Sequence, residues 1–163
     1  MPEPILMPNG VTVVGKPFPR VCARCRTKTV WPIAIPYRAG IRYEGQLHDV
    51  NVPQLVVPRC ETCGELQFDN YADEQITQVF RVQMHLLAPE QIQKNRAALG
   101  LTQQQLATRL GVEADLLRRW EEGSMIQSRA EDRLLRVYFA LPGARSALSD
   151  VDTGMDVGAT VGY

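Results

Sequence analysis

The spacing of apolar residues changes character along this chain. From Val30 to Pro58 they fall in short β-branched and aromatic runs, Val30-Trp-Pro-Ile-Ala-Ile-Pro36, Ile41-Arg-Tyr-Glu44 and Gln54-Leu-Val-Val-Pro58. These runs predict short strands, with Gly40 and Gly45 as turns and the prolines confining the strands to edges of a small sheet. From Ala72 onward the spacing becomes helical, with Ile76, Val79, Phe80, Gln83 and Leu87 on one stripe, which predicts a helix joining two domains. Pro89 opens a second helix, stopped by Gly100. Thr102 and Gln105 form a capping box for a third, with Leu106, Ala107 and Leu110 inward and Gly111 ending it. A fourth helix runs from about Ala114 to Glu122. Ser128 and Glu131 cap a fifth, which carries Leu134, Leu135, Val137 and Tyr138 as far as Pro142-Gly143.

The ends of the chain lack such periodicity. Residues 1–20 hold five prolines and are expected to form a flexible extension, with at most one short strand at Val11–Val14. Residues 146–163 are rich in Gly, Asp and Thr, with little to bury, and are expected to be a disordered tail. The domains expected are therefore the extension 1–20, a β domain 21–71, a connecting helix 72–88, a helical domain 89–145 and the tail 146–163. The fold class is α+β, with a small β domain followed by an all-α one.

Formal net charge is +0, so bulk charge gives no nucleic-acid signal. Its distribution is uneven. Asp150, Asp152 and Asp156 make the last eighteen residues acidic and mask two mildly basic blocks, 16–65 and 89–145. The N-terminus, Met-Pro-Glu-Pro, has an acid where a secretion signal carries base, and no apolar run would span a bilayer. These features lead us to expect a cytoplasmic protein without a membrane partner.

The four cysteines form two pairs, Cys22-Ala-Arg-Cys25 and Cys60-Glu-Thr-Cys63. Each Cys-x-x-Cys turn can place two thiolates on one metal, and two turns close a tetrahedron, which points to one structural Zn²⁺ per chain held by Cys22, Cys25, Cys60 and Cys63. Gly64 suits the sharp turn after the second pair, and Arg24, Arg26 and Arg59 flank the ligands and would offset their charge. The competing reading is a redox-active or unliganded set of thiols, for which one pair would suffice. Four thiolates leave no position for a substrate or water, and no nucleophile–base pair is legible, so no catalytic residue and no enzymatic role are expected. His48 and His85 are read as ordinary histidines.

The third and fourth helices have the features of a helix-turn-helix. Ala107 allows a close crossing, Gly111 supplies the turn and Val112 plugs it. Leu116, Leu117 and Trp120 would face the core. Asp115, Arg118, Arg119 and Glu122 would then share the opposite face and read DNA, with Arg119 suited to guanine and Asp115 to cytosine. Gln103, near the start of the bracing helix, would meet a phosphate. The plainer alternative is a helical bundle with solvated charges, and Arg129, Arg133 and Arg136 are read as such a face. A single motif of this size has little contact area, so a homodimer on a palindromic operator is expected. Leu134, Val137, Tyr138 and Leu141 would form its seam.

The run Gly100-Leu-Thr-Gln-Gln-Gln-Leu-Ala-Thr-Arg-Leu-Gly-Val112, followed by Arg119-Trp-Glu-Glu-Gly123, resembles the Xre-like, Cro-type helix-turn-helix. Together with the cysteine pairs, the second written Cys-Glu-Thr-Cys-Gly-Glu, residues 21–145 resemble the MqsA-type antitoxin family with its YgiT-type zinc finger. The resemblance implies a homodimer through the C-terminal domain that represses its own operon, and a ribonuclease toxin bound through the zinc domain. The family's reading helix offers Asn and, four residues on, Arg to the bases; here those positions are Asp115 and Arg119. The alternative function is a stand-alone helix-turn-helix regulator, or a partner-binding zinc module without a toxin.

Overall fold

Glu44 and Gly45 both have positive φ, 49° and 78°, the conformation of a two-residue hairpin turn whose twist matches that of its strands. In this computed structural model, which describes residues 5–6, 12–13 and 17–150, that turn joins β3 (Val30–Tyr43) to β4 (Gln46–Cys60) in one long antiparallel hairpin. A second, minute antiparallel pair is formed by β1 (Ile5–Leu6) and β2 (Thr12–Val13). The fold is α+β, with β structure first and helices after it. It divides into two compact units, Met1–Met84 and His85–Tyr163.

The prolines do not cut the hairpin into the short strands expected, and Gly40 lies within β3 rather than at a turn. The register explains this. Val30 pairs across to Cys60 but turns its own N–H and C=O outward to Arg20. Two residues on, Pro32 and Pro58 lie opposite one another with the same parity. Their missing N–H groups would point out of the ladder, so no ladder bond is lost. Pro36 and Pro53 fall where the register shifts between Ile35 and Tyr37, a bulge of the kind that tolerates proline.

The helix α1 (Asn70–Gln83) starts where Asp69 accepts the Ala72 N–H at 3.2 Å. It is not a bare connector between domains. It belongs to the first unit and buries Ala72, Ile76 and Phe80 against the hairpin. The Phe80 ring packs on Tyr43, with centroids 5.2 Å apart. Gln75 accepts from the Val56 N–H at 3.0 Å and donates to its C=O at 2.9 Å, so a side-chain amide does for the outer edge of β4 what another strand would do. Leu87, read as the end of this stripe, instead joins the core of the second unit.

In the second unit α2 (Pro89–Ala98), α3 (Gln103–Leu110), α4 (Ala114–Glu122), α5 (Arg129–Ala140) and α6 (Pro142–Asp150) surround one core. Ile92, Leu106, Ala107, Leu117, Trp120, Leu135 and Tyr138 are its buried centre. The capping boxes of Thr102 with Gln105 and Ser128 with Glu131 both form. The tail expected from residue 146 is helical through Asp150. Pro142 starts α6, where it lacks no needed N–H, Leu148 packs on the core, and Arg145 donates to the C=O groups of Tyr138 and Phe139 at the end of α5. The rest of that expected tail, and most of the expected N-terminal extension, lie outside the described residues.

Candidate metal centre and helix-turn-helix surface

Both cysteine turns fold in the same way. The residue after each pair takes positive φ, Arg26 at 63° and Gly64 at 77°. Arg26 N–H donates to Cys22 C=O at 3.0 Å, and Gly64 N–H to Cys60 C=O at 2.9 Å. The ladder pairing of Val30 with Cys60 holds the second turn to the start of β3, so the hairpin itself closes the cluster. The left-handed Arg26 has no glycine to announce it in the sequence.

The four Sγ atoms lie within 4.8 Å of one another. The Cys22–Cys63 and Cys25–Cys60 sulfurs are each 3.6 Å apart. That is far beyond a disulfide bond of about 2.05 Å, and close to the edge of about 3.8 Å that a tetrahedron with 2.3 Å metal–sulfur bonds would have. The donor set fits one metal ion. Cys22 and Cys60 are buried, Cys25 is half-buried and Cys63 exposed.

A hydroxyl network supports the sulfurs. Thr27 Oγ1 lies 2.9 Å from Cys25 Sγ, Thr29 Oγ1 lies 3.4 Å from Cys60 Sγ, and Thr29 also meets Thr27 at 2.9 Å and Thr62 at 2.8 Å. The Thr29 hydroxyl is the main reason the Cys60 thiol is lowered to about 5, and the Thr27 hydroxyl lowers Cys25 as well. Cys63 behaves oppositely. Although the Glu65 amide favours its thiolate, desolvation and the three neighbouring sulfurs push it up to about 12. Four thiolates side by side repel one another, and a cation among them would offset that charge. Spacing alone does not reveal the threonines. Of the flanking arginines, Arg24 donates to Glu65 at 2.9 Å, and Arg59 reaches to the neighbourhood of Gly64.

In the second unit, Ala107 is fully buried where α3 meets α4, and Gly111, at φ 70°, turns the chain between them. Leu117 and Trp120 are buried and Leu116 packs on the core's edge. Asp115, Arg118, Arg119 and Glu122 are exposed together on the far side of α4. Arg118 pairs with both Asp115 and Glu122, and Arg119 Nε donates to Asp115 at 2.7 Å. The Arg119 Nη atoms form no hydrogen bond among the described residues. The two guanidiniums, Arg118 first, hold the Asp115 carboxyl below its usual range.

The Gln103 amide donates to Glu121 Oε2 at 2.7 Å. Glu121 also takes a two-pronged ion pair from Arg96, at 2.6 and 2.9 Å, and Arg96 donates to Leu101 C=O. This network ties α2 and the start of α3 to the end of α4, and fixes the pose of the exposed α4 face. It was not legible in the sequence, because Arg96 and Glu121 are twenty-five residues apart. Tyr138, expected at a dimer seam, is fully buried, and Arg109 donates to its hydroxyl at 3.2 Å. Val137 and Leu141 on the same helix are exposed. No helix among the described residues is long and apolar enough to cross a membrane. Comparison of the chain with protein-family models finds no match, and comparison with curated proteins finds none.

Proposed function

We propose that this chain is a zinc-stabilised transcriptional repressor that binds double-stranded DNA as a homodimer and serves as the antitoxin of a toxin–antitoxin pair. The observation that carries the DNA-binding reading is the α3–α4 arrangement. Ala107 is buried at the crossing, Gly111 makes the left-handed turn, and four charged side chains stand exposed along one face of α4. Helices so braced enter the major groove by that face. The ion pairs on it are no obstacle. Exposed pairs are worth about 0–1 kcal/mol, whereas a two-pronged arginine–guanine contact is worth about 1–3 kcal/mol.

Zinc is the metal that best suits four thiolates in a closed tetrahedron, and its role is structural. No catalytic step is assigned to the chain. The exposed Val137 and Leu141, with Leu134 beside them, offer a seam for the homodimer. The toxin partner rests on the sequence resemblance and would engage the zinc-bearing unit.

The test is binding to duplexes selected from a random pool. An operator should emerge as a palindrome, and Arg119→Ala should weaken its binding by about 1–3 kcal/mol and relax the preference at one base pair. Selection that yields no preferred sequence, or an Arg119→Ala protein with unchanged affinity and preference, would remove the DNA-reading assignment.

A further inference from the structure

On the second unit, a cleft of about 460 Å³ opens between the α2–α3 turn, α3 and α6. Its apolar lining is Leu99, Leu101 and Pro142, and its ionisable lining among the described residues is Arg109 and Arg145. Both arginines are half-buried, and neither has a carboxylate partner among the described residues. Each is instead anchored through Nη1 on a neutral acceptor. Arg109 donates to the Tyr138 hydroxyl at 3.2 Å, and Arg145 to the C=O groups of Tyr138 and Phe139 at 3.1 and 3.0 Å. One fully buried tyrosine therefore holds one guanidinium at its ring end and the other at its backbone. A partly desolvated guanidinium without a counter-charge is an anion receptor, and anchoring removes much of the side-chain entropy that binding would otherwise cost.

We propose that this cleft is a binding site for a small organic molecule with two anionic groups, a dicarboxylate or a phosphorylated carboxylate. Its two anionic groups would meet Arg109 and Arg145, and its carbon skeleton would lie on Leu99, Leu101 and Pro142. The volume suits a small molecule, and two separated cations with apolar surface in the lining favour a ligand with two charges and carbon between them. Such a ligand would touch α3 and the α2–α3 turn, and so act on the brace of the exposed α4 face. The binding claim itself stands whether or not the chain binds DNA.

The full-length protein would be titrated with succinate and with 3-phosphoglycerate at constant ionic strength, using amide chemical shifts and calorimetry, with chloride as the control. We expect saturable binding of at least one probe, with shifts confined to residues around Leu101, Arg109 and Arg145. Arg109→Gln should weaken it about tenfold or more, the loss of one charge-assisted contact. Arg145 also caps α5, so Ser146→Asp is the second variant. It keeps both arginines, adds a negative charge to the lining, and should weaken binding comparably while the helical circular dichroism is unchanged. No saturable binding up to about 10 mM, or binding unaltered in both variants, would overturn the proposal. So would a loss of duplex DNA affinity in Arg109→Gln with no response to either small anion, which would give these arginines to the phosphate backbone.

Discussion

Glu121 has a side chain only 3% exposed, yet it is charged and accepts from two other helices. Burial of that kind is tolerable because Arg96 meets it with a two-pronged ion pair and Gln103 adds a further donor. Glu121→Gln would leave the Arg96 guanidinium without its counter-charge. It should destabilise the second unit by about 3 kcal/mol, measured by urea unfolding of the full-length protein followed through the loss of helical circular dichroism. Asp115 is the contrasting case, an exposed carboxylate held below its ordinary value of 3.8, first by Arg118 and then by Arg119. Its folded pKa is depressed, so the pairing contributes fully above that ordinary value and is lost as pH falls through the lower folded one. A carbon-13 titration of the carboxyl should show the low midpoint, and Arg118→Ala should raise it. A midpoint unaffected by that change would show that the pair does not persist in solution.

At the scale of elements, the turn between α3 and α4 depends on one residue in a left-handed conformation. A Cβ built on Gly111 would meet nothing within 4 Å, so the cost of alanine there is conformational rather than steric. Gly111→Ala should therefore lower stability by about 1 kcal/mol, seen as a modest fall in the thermal midpoint of the helical unit, with its helical content kept. Loss of the folded unit would mean that a contact not visible in the structure also occupies that position. The hairpin shows the opposite balance. Four prolines lie in β3 and β4 and none breaks them, because two face away from the ladder and two sit at the bulge.

For the whole molecule, the two units have different sources of stability. The second has a continuous apolar core with Trp120, Tyr138 and Leu117 at its centre. The cysteine end of the first is a cluster of Cys22, Val30 and Cys60, with Phe18 and Cys25 packed on it. So small a cluster has little apolar burial to hold it, and a metal on its four sulfurs would contribute more. Chelation, or Cys60→Ser, should melt the first unit around the cysteine turns and leave the second folded. Hydrogen exchange resolved along the sequence would report this as lost protection near Thr27–Val30 and Val57–Cys60, with α2–α5 unaltered. Simultaneous loss in both units, or none in either, would contradict a metal-dependent first unit.

The sequence by itself determined whatever rests on local chemistry. The cysteine spacing, the capping boxes at Thr102 and Ser128, the glycine turn and the apolar stripe ending in Trp120 are interactions within a few residues. The structure has each of them in place and brings the four sulfurs together. Tertiary structure decided what depends on partners distant in the chain. The parity that spares Pro32 and Pro58 is set by pairing across the hairpin, and Gln75 finds β4 nineteen residues away. Likewise Tyr138 is core rather than surface because α2 and α6 pack on α5 and Arg109 of α3 reaches its hydroxyl, and Leu148 has a core to meet, so α6 forms where composition alone suggested a tail. Helical periodicity marks which side of a helix is apolar, but only packing determines what covers that side and how far round the helix burial extends.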